Sequence, residues 1–167
     1  MNIEEFLAHP TPLPTPSIPF LTEYDALWDS IMVDFRLNLV LNRGYLLIQG
    51  MGMPLEYDAG VLVLHGLTSI QNSQPKGATR SLRTIHLWKP TFKDGRWSVE
   101  TATESGNSFS VSALGAEIVL GLTGVGERPL PDFEYATDAE LAAGLVSWRS
   151  EFRPLARQVV GAVPSFE

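Results

Sequence analysis

Apolar and polar side chains alternate most regularly over residues 31–41. Every odd position of this stretch is apolar, and its polar residues fall only at even positions. Because successive side chains point to opposite faces of a β-strand, the alternation predicts one long strand with an apolar face. The residues expected to be buried on that face are Phe35, Leu37 and Leu39. Asn-Arg-Gly at 42–44 is typical of a hairpin loop in which Gly44 takes a positive φ, so we expect a second strand from Tyr45.

Further strands are predicted after this hairpin. Residues 61–67 are almost continuously apolar and few enough for a strand that is buried on both faces. Residues 82–88 alternate, and Asp94-Gly95 is typical of a tight hairpin turn. Three more stretches have strand patterns: 97–103, 109–114 and 116–122. Together the patterns predict an α+β fold that is mainly antiparallel β, with about seven strands in a sandwich or half-barrel.

The N-terminal region is predicted to be a helix followed by an extended arm. Asn2 can cap a short helix that ends at Ala8, and the five prolines between residues 10 and 19 favour a polyproline-like path. We assign residues 1–21 to this helix and proline-rich arm, and residues 22–167 to a single β-rich domain. An arm of this composition is typical of a spacer or a strap, and its proline spacing also suits the groove of a partner.

A helix is predicted near the C-terminal end of the sequence. Thr137 and Glu140 have the spacing of a capping box, which satisfies two backbone N–H groups at the start of a helix. The apolar residues that follow are spaced as on one face of a helix: Leu141, Leu145, Trp148 and Phe152. Pro154 suits the first turn of a second helical stretch. We therefore predict a C-terminal helix over residues 137–160 that packs on the sheet.

Composition and charge narrow the possible functions. The chain of 167 residues has no cysteine, which excludes disulfides, thiolate metal ligands and a thiol nucleophile. Its net charge of −7 argues against a general binder of nucleic-acid phosphates, since such proteins are usually basic. No apolar run approaches the ~20 residues of a membrane-spanning helix. The acidic start of the sequence lacks the basic character of a signal peptide, so we expect a cytoplasmic protein without membrane contact.

No catalytic, cofactor or metal site is predicted. The three histidines, His9, His65 and His86, lack the spacing of known metal-binding motifs. There is no Gly-x-Ser-x-Gly nucleophile motif, and the glycines between 121 and 126 do not lead into a helix as a dinucleotide-binding loop does. His65 interrupts an apolar strand and is expected to be a hydrogen-bonded core or strand-end residue.

The strongest candidate for a contact surface is a local excess of positive charge. Residues 76–96 contain six basic residues and one acidic residue, so this segment carries +5 and the remaining chain −12. Trp88, Phe92 and Trp97 lie among these bases. The predicted contact surface consists of Arg80, Arg83, His86, Trp88, Lys89, Lys93 and Arg96. It could meet an acidic protein or stack on single-stranded nucleic acid, whereas the simpler alternative is a solvated hairpin whose tryptophans face the core.

One stretch resembles a known class of proteins. The run from Leu27 to Phe35, Leu-Trp-Asp-Ser-Ile-Met-Val-Asp-Phe, precedes the alternating strand, and residues 61–70 and 109–120 follow later. Together they resemble small bacterial β-rich proteins in which a His-Asp-Ser-type entry leads into a meander, and some of these are immunity proteins of polymorphic toxins. The resemblance covers about the middle half of the chain. It implies a non-catalytic protein that binds another protein, and it transfers no site residues.

We therefore expect a non-enzymatic, immunity-like binding protein that acts through contact with an unknown, acidic protein partner. The alternative, from a different class, is a small-molecule-binding protein of β-barrel-like shape or an enzyme with a cavity under the C-terminal helix. A deep pocket with polar walls would favour the alternative, and a flat charged surface would favour protein binding.

Overall fold

A computed structural model describes residues 1–50, 52–54, 56–74, 82–125 and 128–164. These residues form a seven-stranded antiparallel sheet and two short helices. In chain order the elements are α1 (Ile3–Ala8), β1 (Ile31–Asn38), β2 (Arg43–Gln49), β3 (Ala59–Ser73), β4 (Ile85–Lys93), β5 (Arg96–Thr103), β6 (Ser108–Leu122), α2 (Asp138–Gly144) and β7 (Arg153–Gly161). No helix in the described part of the chain has both the length and the apolar character needed to cross a membrane.

The sheet is organised around the two longest strands, β3 and β6. The strand order is β1-β2-β3-β6-β5-β4, and β7 pairs with β6 outside this path. On the side of β6 away from β3, residues 108–113 pair with β5 and residues 115–122 pair with β7. The predicted antiparallel strands are thus confirmed, and their number is seven. The stretches 109–114 and 116–122, predicted as two strands, form the single strand β6. The seventh strand is β7, which was not predicted.

The two outer strands of the path touch at one end. A backbone bridge joins Ile31 at the start of β1 to Thr84, just before β4. The Met32 N–H donates to the Arg83 carbonyl at 3.0 Å, and the Ile85 N–H donates to the Ser30 carbonyl at 2.8 Å. The described strands therefore form one curved sheet. Of the two predicted arrangements, a sandwich or a half-barrel, the sandwich is wrong because it needs two sheets stacked on each other.

The inner face of the sheet is closed by two tryptophans of the β4–β5 hairpin. Trp88 and Trp97 are fully buried and pack in one cluster with apolar residues of β2, β3 and β6. Their indole N–H groups donate to the carbonyls of Phe20 and Leu21, at 2.8 and 2.7 Å. These bonds satisfy the only polar group of each buried indole and tie the segment before β1 to the core.

The outer face of the same strands is covered by α1 and by residues 146–152. Ile3 and Phe6 of α1 pack on buried residues of β2, β3 and β6, together with Trp148 and Phe152. The Phe6 and Phe152 rings meet edge to face, with centroids 5.9 Å apart. Residues 61–64 of β3 are consequently buried on both faces, as their continuous apolar pattern predicts.

The N-terminal helix forms as expected but belongs to the same core as the sheet. Asn2 caps α1, and its side chain accepts from the Glu5 N–H while the Glu5 side chain accepts from the Asn2 N–H. After the helix, Pro14 accepts a backbone hydrogen bond of 2.8 Å from Arg157 in β7. Phe20 and Leu21 are also buried in the inner cluster. The assigned boundary after residue 21 therefore falls inside a packed region.

The predicted C-terminal helix over residues 137–160 is wrong. Thr137 and Glu140 form the expected capping box, but α2 ends at Gly144 and has no buried side chain. Residues 153–161 are a strand, because half of the β6 edge would otherwise leave its backbone groups unpaired. Trp148 and Phe152 are buried as predicted, but on a non-helical segment whose backbone bonds to the first residues of the chain.

The predicted apolar face of the first strand is also partly wrong. β1 ends at Asn38, and Leu37 and Leu39 are 49% and 85% exposed instead of buried, while Phe35 is half-buried. A register shift between Met32 and Asp34 interrupts the alternation, and the chain turns at residues 39–42 on an outer strand.

The residue with positive φ in this hairpin is Asn42, at 49°, and not Gly44 as predicted. Gly44 lies in β2 opposite Leu37. A Cβ at Gly44 would lie 3.0 Å from Cζ of Phe35, so a larger residue would require the aromatic ring to shift.

We predict that Leu62→Ala destabilises the protein by about 2–5 kcal/mol, because Leu62 is fully buried in β3. The matched change Leu39→Ala removes the same atoms from an exposed turn and should alter the free energy of unfolding by less than about 0.5 kcal/mol. Urea unfolding of both variants measures the difference. Equal losses would contradict the placement of Leu39 in solvent.

Candidate functional site

The residues of the predicted contact surface do not form one surface. Trp88 is fully buried in the core, so its assignment to a contact surface is corrected: it sits on the inward face of β4, where its indole closes the inner cluster. Arg80 lies outside the described residues. Arg83 and His86 contact other parts of the protein, and the remaining bases, Lys89, Lys93 and Arg96, are exposed.

We call Lys89, Lys93 and Arg96 the basic ladder, since they lie on the outward face of the β4–β5 hairpin. Lys89 is opposite Glu100 and Lys93 is opposite Arg96. The Lys89 Nζ is 3.5 Å from Oε2 of Glu100. Three positive charges therefore face Glu100 and the turn residue Asp94, which leaves an excess of +1 on this hairpin surface. The local charge is weaker than the sequence count indicates, because Glu100 lies beyond the basic segment but pairs back onto it.

Arg83 and His86 have partners within the described chain. Arg83 Nη1 donates to Oδ1 of Asn72 at 3.2 Å, at the rim of a cleft of about 440 Å³ between β1 and the far half of β3. His86 stacks on Trp28, with ring centroids 5.2 Å apart and an angle of 8° between the planes. These contacts fix both side chains away from the basic ladder.

A different surface has the character of a binding site. Five large apolar residues around the β1–β2 turn are exposed, and Leu39 and Val40 are the extremes at 85% and 95%. We call this set the apolar turn surface: Leu37, Leu39, Val40, Leu41 and Ile70. Leu37 lines the 440 Å³ cleft together with Ile70, and it lines a groove of about 520 Å³ together with Leu41. Leu37 thus connects Ile70 of β3 with Leu41 of the turn, and Leu39 and Val40 are the neighbours of Leu41 in the chain. Clustered exposed apolar side chains are typical of interaction sites.

Hydrogen bonds hold the turn against β3. The Asn42 carbonyl accepts from the N–H groups of Gly66 and Leu67, at 3.0 and 3.4 Å. The Asn42 side chain donates from Nδ2 to the Leu67 carbonyl at 3.3 Å. The Asn38 side chain accepts from the Leu41 N–H at 3.0 Å. The backbone of the turn is thus held from both sides, which lowers the ordering cost of binding.

Charged residues form the wall of the groove beside the turn. Arg36 Nη1 is 2.6 Å from Oε1 of Glu4, and its guanidinium lies 4.7 Å from the centre of the Trp148 ring. The Trp148 indole donates to Oδ2 of Asp34 at 2.5 Å. These contacts connect β1, α1 and the segment after α2 beside the groove that Leu37 and Leu41 also line.

A buried ionic cluster lies at the polar end of the outer face. Glu117 of β6 is buried, and its Oε2 accepts from Nε of Arg157 at 3.0 Å and also from Nη2. Burial alone would raise the pKa of Glu117, but His65 and Arg157 stabilise the carboxylate and hold that pKa below its ordinary value. The Nε2 of His65 is 3.7 Å from Oε1 of Glu117, which is beyond hydrogen-bond range, so Arg157 is the direct partner. His65 is buried as expected, but neither ring nitrogen has a hydrogen-bond partner within the described chain.

Sequence reasoning missed both of these features, although each left a signal. Val40 breaks the alternation of the first strand, so that residues 39–41 are three consecutive apolar residues directly before a turn-forming asparagine. Glu117 is the one charged residue in the otherwise apolar stretch 113–122. A charge in such a stretch requires a buried partner, and Arg157 provides it across the β6–β7 pair.

The described residues contain no group of three or more histidine, aspartate and glutamate side chains that could hold a metal ion. Neither a protein-family model, a curated protein nor a solved structure matches the chain. The resemblance to immunity proteins therefore stays a prediction.

We predict that Glu117→Gln lowers the free energy of unfolding at neutral pH. In the variant this free energy should also fall less steeply than in wild type as the pH decreases. The pKa of Glu117 is lowered in the folded protein, so its carboxylate contributes stability that is complete above the unfolded-state value and is lost as pH falls through the folded value. Urea unfolding between pH 7 and pH 3 measures this. The exposed Glu100→Gln is the control and should change little. A parallel pH dependence for wild type and Glu117→Gln would contradict the role of this carboxylate.

Proposed function

We propose that this protein is a non-enzymatic binding protein that recognises another protein through the apolar turn surface. The observation that supports this proposal is the exposure of Leu39 and Val40, at 85% and 95%, on a turn that hydrogen bonds fix to β3. Burial of each such side chain in a partner would contribute about 1.5–3 kcal/mol. A small, rigid and apolar projection of this kind is suited to insert into a pocket of a partner.

The basic ladder would act as a second, weaker contribution to the same recognition. Its bases are exposed, and exposed charges contribute little to stability through their own pairing. They are available to attract an acidic partner, and attraction of this kind acts mainly on the rate of association. The partner that we propose is therefore a protein with an apolar pocket and an acidic surface.

An immunity-like function fits a protein of this form. An immunity protein has to occlude its toxin and needs no catalytic centre of its own, so an exposed, preformed contact surface is sufficient. A chain without cysteine also suits the reducing cytoplasm, where such a protein would meet its toxin. The alternative of a cavity under a C-terminal helix has less support, because α2 has no buried side chain.

The double variant Leu39→Ser/Val40→Ser tests the proposal. Both side chains are exposed, so the variant should unfold at the same urea concentration as wild type. Affinity for the partner should fall by at least about a hundredfold, because two buried apolar contacts are lost. Tyr135→Ser, which removes a 78% exposed side chain elsewhere, is the matched control and should bind normally.

The partner is obtained by capture from an extract of the native host, followed by measurement of the purified pair. A supporting result is a protein that wild type and Tyr135→Ser retain and the double variant does not. Equal affinity of the double variant for the purified partner would contradict the proposal. Sedimentation of wild type with vesicles of phosphatidylglycerol, lost in the double variant, would instead assign the turn to a lipid surface and also contradict it.

The charge of the basic ladder is reversed in the triple variant Lys89→Glu/Lys93→Glu/Arg96→Glu. This variant should fold normally and associate more slowly with the same partner. The effect should be largest at low salt, because screening weakens attraction between exposed charges. Stopped-flow association across a salt series measures it, and the dissociation rate should change less than the association rate. Identical association rates for variant and wild type at low salt would exclude the basic ladder from recognition.

A further inference from the structure

A small cavity lies between α1 and the polar end of the outer face. Its volume is about 190 Å³, and both apolar and polar side chains line it. Phe6 and Leu7 come from α1, whereas Arg43, His65 and Glu117 come from β2, β3 and β6. The register explains the grouping, since Arg43 is opposite His65 and Val63 is opposite Glu117, which places these side chains on one face of the sheet.

The cavity lining has one positive charge in excess. Arg43 and Arg157 each carry a positive charge, and Glu117 carries the negative charge that pairs with Arg157. In the part of the chain that the structure describes, no hydrogen bond or ion pair of the Arg43 guanidinium is found. An anion in the cavity would therefore neutralise Arg43 without competing for the Glu117–Arg157 pair.

His65 provides an independent indication that the cavity holds a polar ligand. The residue is 92% buried, since its exposure is 8%, and it lines the cavity. Both of its ring nitrogens are buried without a hydrogen-bond partner among the described residues, and Nε2 has only a longer contact of 3.7 Å with Oε1 of Glu117. A buried polar group without a partner is costly, and an imidazole in either tautomer has an N–H group to donate.

The volume of the cavity limits the size of the ligand that it can hold. A cavity of roughly 150 Å³ holds one benzene molecule. A cavity of about 190 Å³ therefore suits a ligand that is larger than benzene by a few non-hydrogen atoms. The apolar side chains of Phe6 and Leu7 provide contact for a hydrocarbon body, which inorganic anions lack.

We propose that this cavity binds a small organic monocarboxylate of the size of benzoate. The carboxylate pairs with the Arg43 guanidinium and accepts from the His65 N–H, and the hydrocarbon body packs against Phe6 and Leu7. The cavity adjoins the 520 Å³ groove beside the turn and shares Arg43 and Tyr45 with it, but none of the five residues of the apolar turn surface lines it. Binding of a small carboxylate there goes beyond the proposed recognition of a protein.

Benzoate titrated into the full-length protein tests the proposal, with the ring resonances of His65 followed by NMR. Benzoate should shift these resonances in a saturable manner at millimolar concentration or below. Benzamide has the same shape without the charge and should bind at least about tenfold more weakly, because the charge-assisted contact with Arg43 is lost. Inorganic phosphate, which lacks the apolar body, should also bind more weakly than benzoate.

Two arginine variants assign the contact to this cavity. Arg43→Gln should weaken benzoate binding by about tenfold or more. Arg36→Gln is the matched control, because Arg36 is held by Glu4 outside the cavity, and its affinity should stay within about twofold of wild type. Arg43→Lys keeps the charge and should bind with intermediate affinity, which distinguishes a lost contact from a misfolded variant.

Three results would overturn the proposal. The absence of a saturable shift with benzoate would mean that water satisfies His65. Equal binding of benzamide would mean that Arg43 does not select a charge, and stronger binding of phosphate would mean that the apolar side of the cavity is not used. None of these results depends on the Leu39→Ser/Val40→Ser variant, so protein recognition and the small-ligand site succeed or fail separately.

Discussion

The pairing of β3 with β6 is the interaction on which the rest of the structure depends. These strands, of 15 residues each, pair from Ala59 with Gly121 to Ser73 with Ser108. Every other strand joins this pair or a strand already attached to it: β2 on β3, and β5 and β7 on β6. Apolar clusters cover both faces of its first half, so the pair is stabilised by burial as well as by its backbone hydrogen bonds.

The same arrangement explains why the apolar turn is exposed. β2 pairs only with residues 59–65 of β3, so the β1–β2 hairpin ends beside the middle of that strand. There Gly66 takes a φ of 64°, and its N–H group points to the Asn42 carbonyl. The bend in β3 thus fixes the turn, and none of the described strands extends past it over Leu39 and Val40. The positive φ of Gly66 and the exposed apolar turn are therefore linked through the hydrogen bond between Gly66 and Asn42.

The sequence was sufficient to predict the elements that depend on local patterns. Alternation and turn chemistry located the Asp94-Gly95 turn, where both residues have positive φ. The α1 cap and the buried start of β3 were also predicted correctly. These features depend on neighbouring residues alone, which a single sequence contains.

The features that were not predicted depend on partners distant in the chain. Residues 153–161 have an ambiguous pattern, and they form a strand because β6 has an unpaired edge, not because of their own propensity. Leu37 and Leu39 fit an apolar face that the sheet does not cover at that end. Trp88 differs from these cases, because a local pattern places it: alternation along β4 directs Trp88 inward and Lys89 outward, as in the alternative of a hairpin whose tryptophans face the core. Charge counted along the chain could therefore not separate the surface residues from the core residues.

In the free protein, β3 holds the apolar turn in a fixed and exposed conformation. Amide hydrogen exchange measured by NMR tests it most directly. The amides of Gly66 and Leu67, which donate to Asn42, should exchange slowly, at rates near those of the neighbouring β3 amides, whereas the Val40 amide should exchange rapidly. Exchange of the Gly66 amide as fast as that of Val40 would show that the turn is not held, and would contradict the claim.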